Sequence, residues 1–204
     1  MRLILVRHGE TEWNRQRRMM GRTNLELTSL GLEQAQAVGR ALASVPIQAV
    51  YASPLRRALE TAHAIAEKHA LTVASMDGLL ELDAGALDGL TPAEARIGHR
   101  PFLEQWSQGD PDLAAPGGES LGQVQERAWV VLEGILGRHS NDTVVLVSHH
   151  FVLLALICRA LGLPLGRFRR LRQSVASISI LDFAGAEASL ALLNDTCHLS
   201  RVSG

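Results

Sequence analysis

Four short apolar, β-leaning runs each end at residues that can do chemistry. Leu3–Val6 runs into Arg7 and His8, Gln48–Ala52 precedes Arg56 and Arg57, Leu71–Ser75 precedes Glu81, and Thr143–Val147 precedes His149. Two histidines, several arginines and a carboxylate suit the transfer of a phosphoryl group. That reaction needs cations for the equatorial oxygens, a nucleophile in line with the leaving oxygen and an acid to protonate it. Histidine attacks only when neutral. Its reference pKa is ~6.5, and neighbouring arginines lower it, which favours the free imidazole. A second, hydrogen-bonding histidine would steady the group in transfer.

The elements that must position these residues follow from the hydrophobic pattern. Each apolar run stops at a charged or turn-forming segment and reads as a buried strand. Between the strands, Leu32, Ala35, Val38 and Leu42 share a helical face, as do Leu55, Leu59, Ala62 and Ile65, and later Leu121, Val124, Ala128, Leu132 and Ile135. Ser53-Pro54 reads as an N-cap and first helical residue, and Thr91-Pro92-Ala93-Glu94 as a capping box. Ser177–Phe183 and Ala188–Leu193, flanking Ala184-Gly185, predict a terminal hairpin. Alternating strands and helices predict an α/β fold, a three-layer αβα sandwich with a mostly parallel central sheet, as one domain over residues 1–204. In such sheets ligands bind outside the carboxyl ends of the strands, where Arg7, His8, Arg56, Arg57, Glu81 and His149 fall. Gly109–Gly118, rich in Pro, Asp and Gly, reads as a long loop over the site.

Composition narrows the partners. Hydrophobic residues make up 47% and charged residues 20%, an ordinary globular balance. A net charge of −1, from 20 Lys and Arg against 21 Asp and Glu, supplies no field for nucleic acid or an anionic membrane, so neither is expected and any anion site is local. Lys68 is the only lysine, and arginine's planar fork matches phosphate oxygens in pairs. Cys158 and Cys197 stand in unlike contexts and suggest no disulfide framework, which fits a cytoplasmic setting. The longest apolar stretch, Phe151–Cys158, is too short to cross a bilayer. Adjacent His149 and His150 point in different directions, with no Cys or carboxylate at ligand spacing, so no metal is expected. Arg167, Arg169, Arg170 and Arg172 read as a solvated, Arg-bearing face.

Several ordered motifs carry a resemblance. Leu5-Val6-Arg7-His8-Gly9-Glu10-Thr11-Glu12-Trp13-Asn14 resembles the opening motif of the histidine phosphatase superfamily, also called the phosphoglycerate mutase-like family. It is followed by Leu27-Thr28 with Gly31 and Gln34-Ala35, and by Ser53-Pro54-Leu55-Arg56-Arg57-Ala58 with Thr61-Ala62. Leu80-Glu81 with Gly85 and Asp88-Gly89, Gly118-Glu119-Ser120 and Val147-Ser148-His149 then complete the order. The resemblance spans roughly residues 1–182, and motifs in order are far more specific than one alone. It implies the three-layer fold, a nucleophile at His8 that becomes phosphohistidine, and a grip on the phosphoryl group by Arg7, Arg57 and His149. It further implies a general acid and base at Glu81, a phosphate contact at Asn14, and neither metal nor cofactor. Met20 stands where many relatives have glutamine, His150 where glycine usually follows the second histidine, and Leu87-Asp88 where Trp and Glu are frequent. These departures touch substrate choice more than the reaction.

The expectation is therefore a metal-independent phosphomonoesterase acting on a small phosphorylated metabolite. Two alternatives share the resemblance. One is a phosphoglycerate mutase primed by 2,3-bisphosphoglycerate, disfavoured by the short segment between Glu81 and Glu119; the other is an inactive binding or regulatory member. Family members act on sugar phosphates, phosphoglycerates, α-ribazole phosphate, nucleotides or phosphoproteins, and loop-built pocket walls decide among them. An edge strand and apolar helix faces would permit a homodimer.

Overall fold

The computed structural model describes residues 1–185, 187–200 and 202. In chain order its elements are β1 (Arg2–Arg7), α1 (Glu12–Arg15), α2 (Ser29–Leu42), β2 (Ala49–Ala52), α3 (Arg56–Ala66) and β3 (Val73–Ser75). They continue with α4 (Pro92–Gly98), α5 (Arg100–Ser107), α6 (Leu121–Arg138), β4 (Thr143–Ser148), α7 (His150–Ala160), β5 (Ile178–Ala184) and β6 (Glu187–Asp195).

Alternation along the strands sets the layers. Leu3, Leu5, Val144 and Leu146 face one side of the sheet and pack with Val124, Ala128, Leu132 and Ile135 of α6 and Leu153 and Leu156 of α7. Ile4, Val6, Val145 and Val147 face the other and pack with Val38 and Leu42 of α2 and Ala58, Ala62 and Ile65 of α3. Successive strand residues point to opposite faces, so a strand covered on both sides must be apolar throughout, as β1 and β4 are. The sheet order is β3-β2-β4-β1-β5-β6. The first four strands are parallel neighbours; β5 runs antiparallel to β1, and β6 antiparallel to β5. This is the expected αβα sandwich, and the terminal hairpin forms as predicted. Pairing of Arg7 with Ser148 at the ends of β1 and β4 brings His8 and His149 side by side in chain position.

Local departures have identifiable causes. Helix α3 starts at Arg56 with Leu55 as its uncapped N-cap residue, so Ser53 is not the cap; its hydroxyl instead accepts from Leu55 N at 3.4 Å. Leu32 is 49% exposed, and the buried start of α2 is taken by Gly31 and Gln34 instead. Gly109–Gly118 does not cover the site. It lies behind the Glu81 segment, where Ala86 N donates to Pro116 O and Glu119 N to Asp83 O. The Thr91–Glu94 capping box forms as read. Among the described residues no helix is long and apolar enough to cross a membrane.

The motif around Gly31 is a clamp on the segment after His8. Thr28 N donates to Glu10 O at 2.9 Å, Thr28 Oγ1 to Glu10 Oε1 at 3.0 Å, and Glu10 N to Gln34 Oε1 at 2.8 Å. The backbones come so close that a Cβ on Gly31 would overlap Glu10 O. Gly31→Ala is expected to lose ~1–3 kcal/mol, as overpacking does, and so to lower Tm by roughly 2–4 °C per kcal/mol in a chain of this size. Gly98→Ala, where a Cβ meets nothing, should leave Tm nearly unchanged. Thermal unfolding followed by circular dichroism compares the two, and equal Tm values would contradict the clamp.

Candidate active site

Parallel pairing of β1 with β4, and of β4 with β2, delivers His8, His149 and the start of α3 to one end of the sheet. Arg57 lies in the first turn of α3 and is wholly buried, as are His8, His149 and Glu81. The His8 and His149 rings have centroids 5.2 Å apart.

Hydrogen bonds define which nitrogens can act. His8 Nδ1 lies 2.7 Å from Gly9 O. A carbonyl can only accept, so Nδ1 carries the hydrogen and the neutral ring keeps its lone pair on Nε2. His149 has the opposite arrangement. Arg57 Nε donates to its Nδ1 at 3.3 Å, so the proton of neutral His149 is on Nε2, which is buried without a protein partner among the described residues. One histidine therefore offers a lone pair and its neighbour a donor.

Both rings are held well below the ordinary histidine pKa, first by burial and then by the charge of Arg57. Each is thus neutral near pH 7. Burial also lowers Arg7 and Arg57 to about 10, with the charge of Glu81 acting in the opposite direction. Glu81 is pushed above the usual carboxylate range by burial, although Leu82 N donates to it at 2.8 Å and Phe151 N at 3.3 Å. Such a carboxyl holds a proton further towards neutral pH, as a general acid requires.

The arginines are fixed from behind. Arg57 donates to Gly21 O and Thr23 O, both at 2.8 Å. Asp88 holds that same loop, accepting from Gly21 N at 2.7 Å and from the Thr23 hydroxyl at 2.7 Å. Arg7 donates to Gln173 O at 2.6 Å, and its buried Nε has no partner among the described residues. Arg7, His8, Asn14 and Glu81 line one cavity of about 510 Å³, together with Met20, Leu87 and His150. Arg57 and His149 do not line it; His149 packs against the lining His8, and Arg57 donates to His149. Asn14 uses Oδ1 to cap Thr11, which leaves its amide NH2 as the group with donor capacity.

The remaining sequence candidates separate clearly. Arg56 turns to the surface, pairing with Glu26 at 2.7 Å and Glu60 at 3.8 Å. His150 lines the cavity and is held at about 4 by burial and by Arg7. Arg167, Arg169, Arg170 and Arg172 are exposed, and Arg169 stacks over Phe168 at 4.6 Å. No cluster of three or more His, Cys, Asp or Glu able to hold a metal occurs among the described residues.

Two contributors were not singled out from the sequence. Arg127 on α6 donates to Gly78 O and Glu81 O and pairs with Glu119, which in turn accepts from Asp83 N at 3.0 Å. Together they fix the backbone that presents Glu81. Gln173 supplies the carbonyl for Arg7 from the segment before β5. Nothing local in the sequence marks either Arg127, which stands after Gln125 and Glu126 on a polar part of α6, or Gln173.

Comparison with known proteins shows the family and the fold. The family model of the histidine phosphatase superfamily (branch 1) matches residues 3–196. Phosphoserine phosphatase 1 of Hydrogenobacter thermophilus is 35% identical over 199 residues, 98% of this chain and 94% of that protein. A probable phosphoglycerate mutase, GpmB of Proteus mirabilis, is 36% identical over 183 residues, 90% of this chain and 85% of its own length. The solved structure of Bacillus stearothermophilus YhfR superposes with a TM-score of 0.91 at 32% identity, covering 98% of this chain and 99% of that one.

Unpartnered Arg7 Nε and His149 Nε2 beside two buried guanidinium groups make this a site short of negative charge. Inorganic phosphate or vanadate should therefore stabilise the folded chain. At 100 times Kd the gain is ~2.7 kcal/mol, or roughly 5–10 °C in Tm at 2–4 °C per kcal/mol. Arg57→Met should remove most of that ligand-dependent shift, measured as the difference with and without phosphate. An unchanged shift in the variant would contradict the assignment.

Proposed function

This chain belongs to the histidine phosphatase superfamily, as an enzyme of the phosphatase type, and from that premise we propose that it hydrolyses small phosphomonoesters through a phosphohistidine on His8. The observation that carries this reading is the 2.7 Å contact between His8 Nδ1 and Gly9 O. The His8 Nδ1–H is committed to Gly9 O, so Nε2 is free in the cavity that Glu81 also lines.

In the first step the Nε2 lone pair attacks phosphorus, the bond from phosphorus to the ester oxygen breaks, and Glu81 gives its proton to the departing alkoxide. Arg7, Arg57 and His149 Nε2–H take the charge on the equatorial oxygens, and the Asn14 amide adds a further donor. In the second step Glu81, now a carboxylate, accepts a proton from water as its oxygen attacks phosphorus; the N–P bond breaks and inorganic phosphate leaves. His8 regains its lone pair. Neither metal nor cofactor has a part in these steps, because two guanidinium groups supply the positive charge a metal would otherwise provide and the neutral His149 adds an N–H donor.

His8→Ala should abolish phosphate release from p-nitrophenyl phosphate, and wild-type activity should survive EDTA. Wild type quenched during turnover should carry an acid-labile phosphoryl group that the variant lacks. Activity retained by His8→Ala would sink the proposal. Rapid transfer to 3-phosphoglycerate in place of hydrolysis would favour the mutase alternative.

The two roles given to Glu81 separate in one experiment. p-Nitrophenolate leaves without needing a proton, so Glu81→Gln should still release about one equivalent of it in a burst. Turnover should then slow by roughly 10²–10⁴-fold, because water lacks its base. Full steady-state activity in Glu81→Gln would exclude it as the base.

A further inference from the structure

Beyond its reacting end, the cavity changes character. Its walls come from Met19 and Met20 after α1, Leu87 and Leu90 before α4, Leu103 of α5 and Phe151 at the start of α7. Arg17, Arg18 and Arg96 also line it. Arg18 is occupied, donating to Gly89 O at 2.7 Å and to Glu94 at 3.3 Å, whereas Arg17 and Arg96 are exposed. Among the described lining residues Glu81 is the only carboxylate, and the proposed first step requires it to carry a proton.

Two consequences follow for the leaving group. An ammonium on it would enter a space bounded by arginines with no carboxylate free to pair with it, and an unpaired charge is costly away from water. A short polar group would leave the apolar walls wet. An extended apolar group would dry them, and each methylene fully removed from water contributes up to about fourfold in binding.

We propose that this cavity selects phosphomonoesters of extended apolar alcohols that carry no cationic group, over amino-acid phosphates such as phosphoserine. Leu90, Leu103 and Phe151 are the residues that set the preference. This rests on the phosphomonoesterase reading, since it concerns which leaving alcohol that reaction releases.

Alkyl esters test it without the confounding acidity of an aryl leaving group. With wild-type enzyme, kcat/KM for n-hexyl phosphate should exceed that for ethyl phosphate and for O-phospho-L-serine by at least about 15-fold, the four added methylenes being partly buried. Leu103→Glu, which sets a carboxylate in the wall, should raise the phosphoserine-to-hexyl ratio at least about tenfold. Circular dichroism establishes that the variant is folded, and if it is not, the wild-type series decides by itself. Equal kcat/KM for hexyl and ethyl phosphate, or a preference for phosphoserine, would overturn the inference while hydrolysis of p-nitrophenyl phosphate left the phosphatase reading standing. Absence of phosphate release from every ester would overturn both.

Discussion

The site depends on holding more positive charge out of water than the protein itself balances. Arg7 and Arg57 are desolvated strongly enough to fall to about 10, and the same burial and charge keep His8 and His149 neutral. Glu81 and Asp88 are the carboxylates that act back on Arg57, but Asp88 is engaged by the Gly21–Thr23 loop and burial shifts Glu81 towards its neutral form. A dianionic phosphoryl group, the ligand proposed above, would supply the missing charge, relieve the mutual repulsion of the guanidinium groups and satisfy donors that have no partner among the described residues.

Keeping those groups in place occupies much of the surrounding polar structure. Gly9 N donates to Thr61 Oγ1, whose hydroxyl donates to Arg57 O, so the segment after His8 and the helix bearing Arg57 share one hydrogen-bond chain. Thr28, Gly31 and Gln34 grip Glu10 from α2, and Glu119 with Arg127 grips the Glu81 segment from α6. Both helix layers thus contribute to one end of the sheet. Motif residues that touch no reacting atom are explained by this need, since a site works only if its first contacts are held rigidly by a second set.

The cavity wall follows a different rule. It is built from the segments after α1, before α4, on α5 and at the start of α7, none of which belongs to the sheet. Loops and short helices can change there without disturbing the charge cluster, which is how one fold serves many substrates. Met20 and Leu87 belong to the apolar wall, and they occupy two of the three positions where the sequence departs from the family pattern.

Much of this protein is determined by sequence alone, because it rests on local periodicity and on contiguous motifs. The apolar runs at Leu3–Val6 and Thr143–Val147, the helical face from Leu121 to Ile135 and the capping box at Thr91 all form where the pattern places them. His8, Arg57, Glu81 and His149 could be picked out for the same reason, each standing just after a strand. What tertiary structure alone decided are relations between distant segments. Which nitrogen of His8 is free depends on the turn of one backbone carbonyl. The covering of the cavity passed from the Gly109–Gly118 loop to α4 and α5 because that loop is bound to the back of the Glu81 segment. Period and propensity carry no information about such contacts; they are settled by close packing of surfaces far apart in the chain.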